Sequence, residues 1–283
     1  MNTDSFYAKG STHRENQDYA THGEREGQPF AIISDGCSSA PRTDFGARIL
    51  VQAAVQYLGV AGYNDDSFSH STINTARIWS HALGLPDDCL CATLLMAIVA
   101  NVDVGMPHVD QHMYKVFISG DGFVVARHKD RMEIHEYKFA RGAPCYLRYS
   151  LDPKMSKDYW AKFGDEVTHR IYMIDNNGKS DYQKETKKYP AAPFFFKLEF
   201  PVSDYLWVAV VSDGGDSFLE TVDHGTGLEP TDVPASTVLF ELFNFKNYQG
   251  EFVQQRCSKA FKEFGKKRWQ NADDIAVGVI ARD

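Results

Sequence analysis

Apolar positions along the chain follow two rhythms. Short runs rich in Val, Ile and Phe, bounded by Gly, Asp or Ser, occur at 30–33, 91–99, 114–118, 123–127, 194–200, 205–211 and 275–280, and such runs read as strands. Lys129 and Asp130 stand at the turn of a hairpin covering 123–135. Three other stretches repeat every three or four residues. Ala47, Leu50, Val51, Ala54 and Leu58 share one face of a helix starting near Asp44; Ile73, Ala76, Trp79 and Leu83 do so less cleanly on a second; Val253, Cys257, Ala260, Phe261 and Phe264 mark a third. Strand groups interrupted by a helix pair and followed by a late helix predict antiparallel sheets covered by helices, an α+β arrangement. Residues 140–193 are polar and weakly periodic, and are expected as a partly structured insertion in a single domain spanning 1–283.

Composition narrows the classes. The 283 residues are 43% apolar, enough for a sizeable core, and 38 Asp and Glu against 30 Lys and Arg give a formal charge of -8. That balance argues against nucleic acid or an anionic membrane as partner, since both need a basic face. The dense basic stretch 262–268 falls at the end of the third helix and reads as a solvated terminus. The longest apolar run, 94–99, is far short of the roughly 20 residues a membrane span needs. Met1 to Asp4 open no secretion signal, and Cys37, Cys89, Cys91, Cys145 and Cys257 form no CxxC pair. A reduced, cytoplasmic protein with core cysteines is expected, without membrane or nucleic-acid partner. No repeat of 20 to 50 residues is present.

Candidate chemistry lies where the strands end. An apolar run, a serine, then an aspartate beside glycine recurs as AIISDG at 31–36, VFISGDG at 116–122 and VAVVSDG at 208–214, and Asp273 and Asp274 precede the last strand. One Asp-Gly is an ordinary turn. Three at strand ends, with an acidic strand start, would gather at one sheet edge if the last strand runs antiparallel to its neighbours. Carboxylates so gathered need a cation between them, and oxygen donors without a His or Cys cluster favour Mg2+ or Mn2+ over zinc. Other clusters carry less. His108 and His112 lack an HExxH context, Asp175 to Gly178 read as a tight turn, 194–196 as a buried strand edge, and no nucleophile elbow surrounds Ser34, Ser119 or Ser212.

The ordered set NQD at 16–18, DGCSSAPRTDFGARI from Asp35, GDG at 120–122, SDG at 212–214 and DDIAV from Asp273 resembles metal-dependent protein phosphatases of the protein phosphatase 2C type, in their bacterial branch. The resemblance covers about residues 10 to 281 and implies an antiparallel β-sandwich flanked by helices. It also implies two Mn2+ or Mg2+ ions, with a place for a third. By position, Asp35 matches the bridging ligand, the Gly36 carbonyl a backbone ligand, and Asp213 and Asp273 further carboxylate ligands. Asp18 matches an acid acting through metal-bound water, and Asp121 joins Asp213 at the third site. Thr93 resembles a supporting threonine, and a buried strand threonine is an equal reading.

The chain also departs from the family pattern. Gln17 stands where many relatives have Glu. The phosphate-binding arginine position holds His13, with Arg14 next, and either side chain suits a phosphate. Cys37 replaces a histidine proposed as general acid. The expected activity is hydrolysis of phosphoserine and phosphothreonine esters on proteins by a water held between the metals. Two alternatives stand beside it: a pseudo-phosphatase that binds phosphoproteins or a partner, and a phosphatase of small esters.

Overall fold

The computed structural model describes residues 1–60, 65–103, 110–188, 195–223 and 228–282. In chain order the strands are β1 (Asn2–Ala8), β2 (Tyr19–Arg25), β3 (Gln28–Ser34), β4 (Leu94–Asp103), β5 (Asp110–Ser119), β6 (Gly122–His128), β7 (Arg131–Phe139), β8 (Glu166–Asp175), β9 (Ser180–Lys188), β10 (Phe196–Pro201), β11 (Tyr205–Val211), β12 (Phe218–Asp223), β13 (Leu228–Asp232), β14 (Trp269–Asn271) and β15 (Ile275–Ala281). The helices are α1 (Thr43–Val60), α2 (Asp65–Ala82), α3 (Pro153–Phe163), α4 (Ala235–Leu242) and α5 (Phe252–Lys266). One sheet has the order β1-β15-β11-β6-β7-β8-β9, a second β10-β5-β4-β3-β2, and a small third β13-β12-β14. Every pairing within them is antiparallel.

Three apolar layers hold the stack together. Ala31, Ile33, Leu95, Val116 and Ile118 of the second sheet meet Val124, Val208, Val210, Ala276 and Ile280 of the first, forming the sandwich interior. On the outer face of the second sheet, Ile32, Met96, Ile98 and Phe117 pack under Leu50, Val51, Ala54 and Leu58 of α1 and Ile73 and Ala76 of α2. On the other outer face, Val125, Trp207, Ala209, Val277 and Val279 pack under Val238, Leu239 and Leu242 of α4 and Val253, Cys257, Ala260 and Phe264 of α5. Successive side chains of a strand point to opposite faces. Strands covered on both faces are therefore apolar at every position, as β11 and β15 are. The expected antiparallel sandwich flanked by helices is the fold observed.

The departures concern one-sided elements. β1 and β2 are edge strands with half-exposed, mixed sequences, so no apolar run announces them. The strand expected from residue 91 begins at Leu94, because Cys91 ends the tight turn Asp87–Leu90. Leu83 lies beyond α2 and is 65% exposed. Phe194 lies outside the described residues, and Phe195 and Phe196 are half-buried. The segment 140–193 is, over its described residues, two short turns, α3, and the pair β8 and β9 that continues the first sheet past β7. His108 lies outside the described residues, whereas Asp175 to Gly178 do form the tight turn between β8 and β9. Among the described residues no helix is long and apolar enough to cross a membrane.

Candidate metal centre

Topology brings the acidic strand ends to one edge. β15 pairs antiparallel with β11, Val277 opposite Val211, so Asp273 and Asp274 before β15 adjoin Asp213 after β11. Ser212 fastens the junction: its N–H donates to the Ala276 carbonyl at 3.0 Å, and its hydroxyl accepts from the Ala276 N–H at 2.8 Å. From the facing sheet, β3 delivers Asp35, and β5 ends in the Gly120-Asp121-Gly122 turn leading into β6. Thr93 holds the Asp35 backbone on both sides, accepting from its N–H at 2.9 Å through Oγ1 and donating its own N–H to its carbonyl at 2.8 Å. The supporting role implied for Thr93 thus has a structural counterpart, and Thr93 is also buried.

Two glycines allow this closeness. Gly120 has φ +89, and a Cβ there would stand 2.7 Å from Thr93 Cγ2. A Cβ on Gly214 would stand 1.8 Å from the Asp274 carbonyl oxygen. A side chain at Gly120 would push the end of β5 from the start of β4, and one at Gly214 would push the end of β11 from the start of β15.

The resulting cleft, about 410 Å³, is lined by His13, Asp35, Gly36, Cys37, Asp121, Asp213 and Asp273, and by the aromatic side chains of Tyr146, Tyr149 and Phe163. Asp18 is fully buried, and its Oδ2 accepts a hydrogen bond from the Ser212 hydroxyl at 2.6 Å. Arg14 is exposed and does not line the cleft. His13 does: its Nε2 is 3.3 Å from Asp273 Oδ1 and its Nδ1 3.0 Å from Asp274 Oδ2, the second contact lacking hydrogen-bond alignment. Asp274 itself is structural. It is buried and accepts from Gly10 N–H at 2.7 Å and Gln17 N–H at 2.6 Å, tying the amino-terminal loop to the start of β15. Gln17 turns its side-chain amide to Thr43 Oγ1 at 3.2 Å and is absent from the cleft lining.

The carboxyls are held far from their ordinary state. Burial, reinforced by the charge of Asp18, pushes Asp35 well above the usual carboxylate range. Burial and the charge of Asp35 do the same to Asp213. Burial raises Asp18 to about 8 against the hydrogen bonds from its neighbours. Burial lifts Asp121 to about 6, opposed by its backbone hydrogen bond and by Lys138. Asp18 Oδ1 and Asp121 Oδ1 are buried without hydrogen-bond partners.

Among the described residues no three His, Cys, Asp or Glu side chains are gathered tightly enough to grip an ion as they stand. Carboxyls that repel one another stay apart or keep protons until a cation neutralises them. Orphaned buried oxygens and an all-oxygen donor set fit a hard divalent cation. The sequence did not announce the aromatic wall at Tyr146, Tyr149 and Phe163, because only the fold of 140–163 carries it to the cleft mouth. Lys138, salt-bridged to Asp216 at 2.5 Å and Glu136 at 2.9 Å beside the carboxyls, was equally silent.

Comparison with known proteins bears on the fold. Residues 9–136 match the family model of protein phosphatase 2C. No curated protein matches the sequence. Among solved structures, a bacterial serine phosphatase superposes with a TM-score of 0.55 at 9% identity, covering 100% of this chain and 98% of that one. Serine/threonine phosphatase Stp1 from Staphylococcus aureus gives 0.53 at 9%, covering 100% and 96%. The S. agalactiae serine/threonine phosphatase gives 0.50 at 12%, covering 99% of each. Residues 9–136 are therefore similar in sequence to the protein phosphatase 2C family, and the chain as a whole shares the fold of these bacterial phosphatase structures.

Proposed function

We propose that the chain is a metal-dependent phosphatase that hydrolyses phosphoserine and phosphothreonine esters on proteins. One observation carries the reading: Asp35, Asp121, Asp213 and Asp273 reach one solvent-connected cleft from separate strand ends, with Asp121 Oδ1 and the neighbouring Asp18 Oδ1 buried and unsatisfied. A structural carboxylate would have acquired partners, since leaving one unpaired inside a protein costs several kcal/mol.

In this reading Asp35, the Gly36 carbonyl, Asp213 and Asp273 hold two Mn2+ or Mg2+ ions, and Asp121 with Asp213 holds a third. Bound there, the ions supply charge neutralisation and an activated water. Asp18, gripped by Ser212 beneath the cleft, orients solvent at the cluster. His13, held over Asp273 and Asp274, meets the substrate phosphoryl group; Arg14, outside the lining, has no such role. Tyr146 and Tyr149, in the same lining as the carboxyls, give a substrate chain an apolar surface to lie against. The pseudo-phosphatase reading gains nothing from Gln17, because its backbone N–H still anchors Asp274.

Purified protein with Mn2+ should turn over p-nitrophenyl phosphate and phosphoserine peptides, the peptides with the higher kcat/KM, and EDTA should abolish both. Turnover of neither defeats the proposal. Faster turnover of free phosphorylated metabolites than of peptides moves it to the small-ester class.

A further inference from the structure

A second cavity, about 170 Å³, opens between the loop after α4 and the first turns of α5. Its lining is Asn244, Phe245, Lys246, Asn247, Phe252, Gln255, Arg256 and Lys259: three cations, three amides, two phenylalanines and no carboxylate. On a chain of net charge -8 that is a local reversal of sign. Residues 252, 255, 256 and 259 share one helix face by their spacing, so α5 presents Gln255, Arg256 and Lys259 together.

Nearby acids do not cancel the charge. Glu263 lies 3.2 Å from Arg256 Nη1 and 3.7 Å from Lys259 Nζ, so one carboxylate faces two of the three cations. Glu241 is engaged by Lys267 at 2.5 Å. Arg256 is itself anchored, its Nη2 donating to the Glu241 carbonyl and its Nε buried without a partner, so Lys246 and Lys259 are the cations open to a ligand. The end of α5 does not itself create the site, since Asp4 Oδ2 already accepts from Val253 N–H at 2.6 Å and Gln254 N–H at 3.1 Å.

The loop is rigidly seated. Phe245 packs against Trp207, Phe252 and Tyr248 with ring centroids at 5.5, 5.2 and 6.3 Å. These contacts fix the backbone from which Lys246 and Asn247 project, while their side chains stay exposed.

We propose that this cavity binds a phosphate-sized oxyanion, contributed by a phosphorylated molecule, at a place remote from the carboxylate cleft. The volume suits one tetrahedral anion with its remaining waters, given about 30 Å³ per water in the liquid. Lys and Arg give charge-assisted hydrogen bonds to phosphate, and the amides add neutral ones. α5, about 22 Å long at 1.5 Å per residue, runs from this cavity toward β14 and Asp273. The cavity shares no lining residue with the candidate metal centre.

Calorimetric titration of the metal-free protein tests this, because without cations the cleft lacks the positive charge that would hold a phosphate there. Inorganic phosphate and a phosphoserine peptide are the two probes. Saturable binding of either is expected, weakened roughly tenfold by Lys246→Glu and again by Lys259→Glu. Both variants change exposed side chains, and an unchanged circular dichroism spectrum and Tm confirm that they fold. Binding of the peptide but not of free phosphate assigns the site to a phosphoprotein. Absence of saturable binding of both probes, or binding by both variants as tight as by the unaltered protein, overturns the proposal.

Discussion

Two buried aspartates separated by fourteen positions show opposite chemistry. Asp4, in β1, is 2% exposed and fully employed: it accepts from Val253, Gln254 and Ser5 N–H groups and stands 3.9 Å from His22. It caps α5 and serves the fold. Asp18, at the entry to β2, is fully buried, accepts from the Ser212 hydroxyl and from no other residue at Oδ1, and faces the charges of Asp213 and Asp274. Burial alone therefore says nothing about role. A satisfied carboxylate stabilises the chain that buries it, whereas an unsatisfied one waits for a group the chain does not supply.

The largest effect should come from exchanging charge on each side of this comparison. Asp213→Asn should lower kcat/KM more than about 100-fold, beyond the upper end for an outer-shell partner of a metal ligand. The same change should leave the metal-free Tm equal or higher, since a repelled carboxyl becomes a neutral amide. Asp4→Ala should do the reverse. Loss of the cap and exposure of a buried N–H should cost about 2 kcal/mol or more of stability, while the Mn2+-supported activity of the folded fraction persists. Thermal melts and peptide kinetics on both variants read the crossing, and a Tm loss in Asp213→Asn equal to that in Asp4→Ala would erase the distinction.

A second effect separates the classes by pH. Folded pKa values raised above the unfolded ones mean that Asp18, at about 8, and Asp121, at about 6, bind protons in the native state that the unfolded chain has released. Metal-free stability should therefore fall as pH rises from about 4 toward 8, because the native state binds more protons through that window. Mn2+ at a hundredfold excess over its Kd should restore about 2.7 kcal/mol. The gain should be larger at pH 8 than at pH 5, where protons compete for the same oxygens. An EDTA melting series that rises across the window would sink this account.

What the sequence disclosed follows the same line. The stripe of α1, the stripe of α5 and the runs of β3, β11 and β15 were legible because each has an apolar face or two to bury, and burial writes itself into period. β1, β2, β8 and β9 were not, since strands half in water, with β1, β2 and β9 at sheet edges, need no such pattern. The aspartates of the cleft were legible as a recurring strand end. That Asp274 braces the loop at Gly10 and Gln17, and that Asp4 caps a helix some 250 positions away, depends on contacts that no local window contains.

The smallest effect settles an ambiguity of adjacent residues. His13 and Arg14 are chemically interchangeable as phosphate ligands in sequence, yet one lines the cleft and the other is exposed. Arg14→Ala should leave kcat/KM within about twofold, since surface changes away from a site seldom matter. His13→Ala should raise KM for the phosphopeptide, because it removes a donor positioned over the carboxyls while leaving their own number unchanged. If instead Arg14→Ala gives the larger KM, the loop from Gly10 to Gln17 rearranges on binding, and the Asp274 anchor must release at least one of its two N–H groups to permit it.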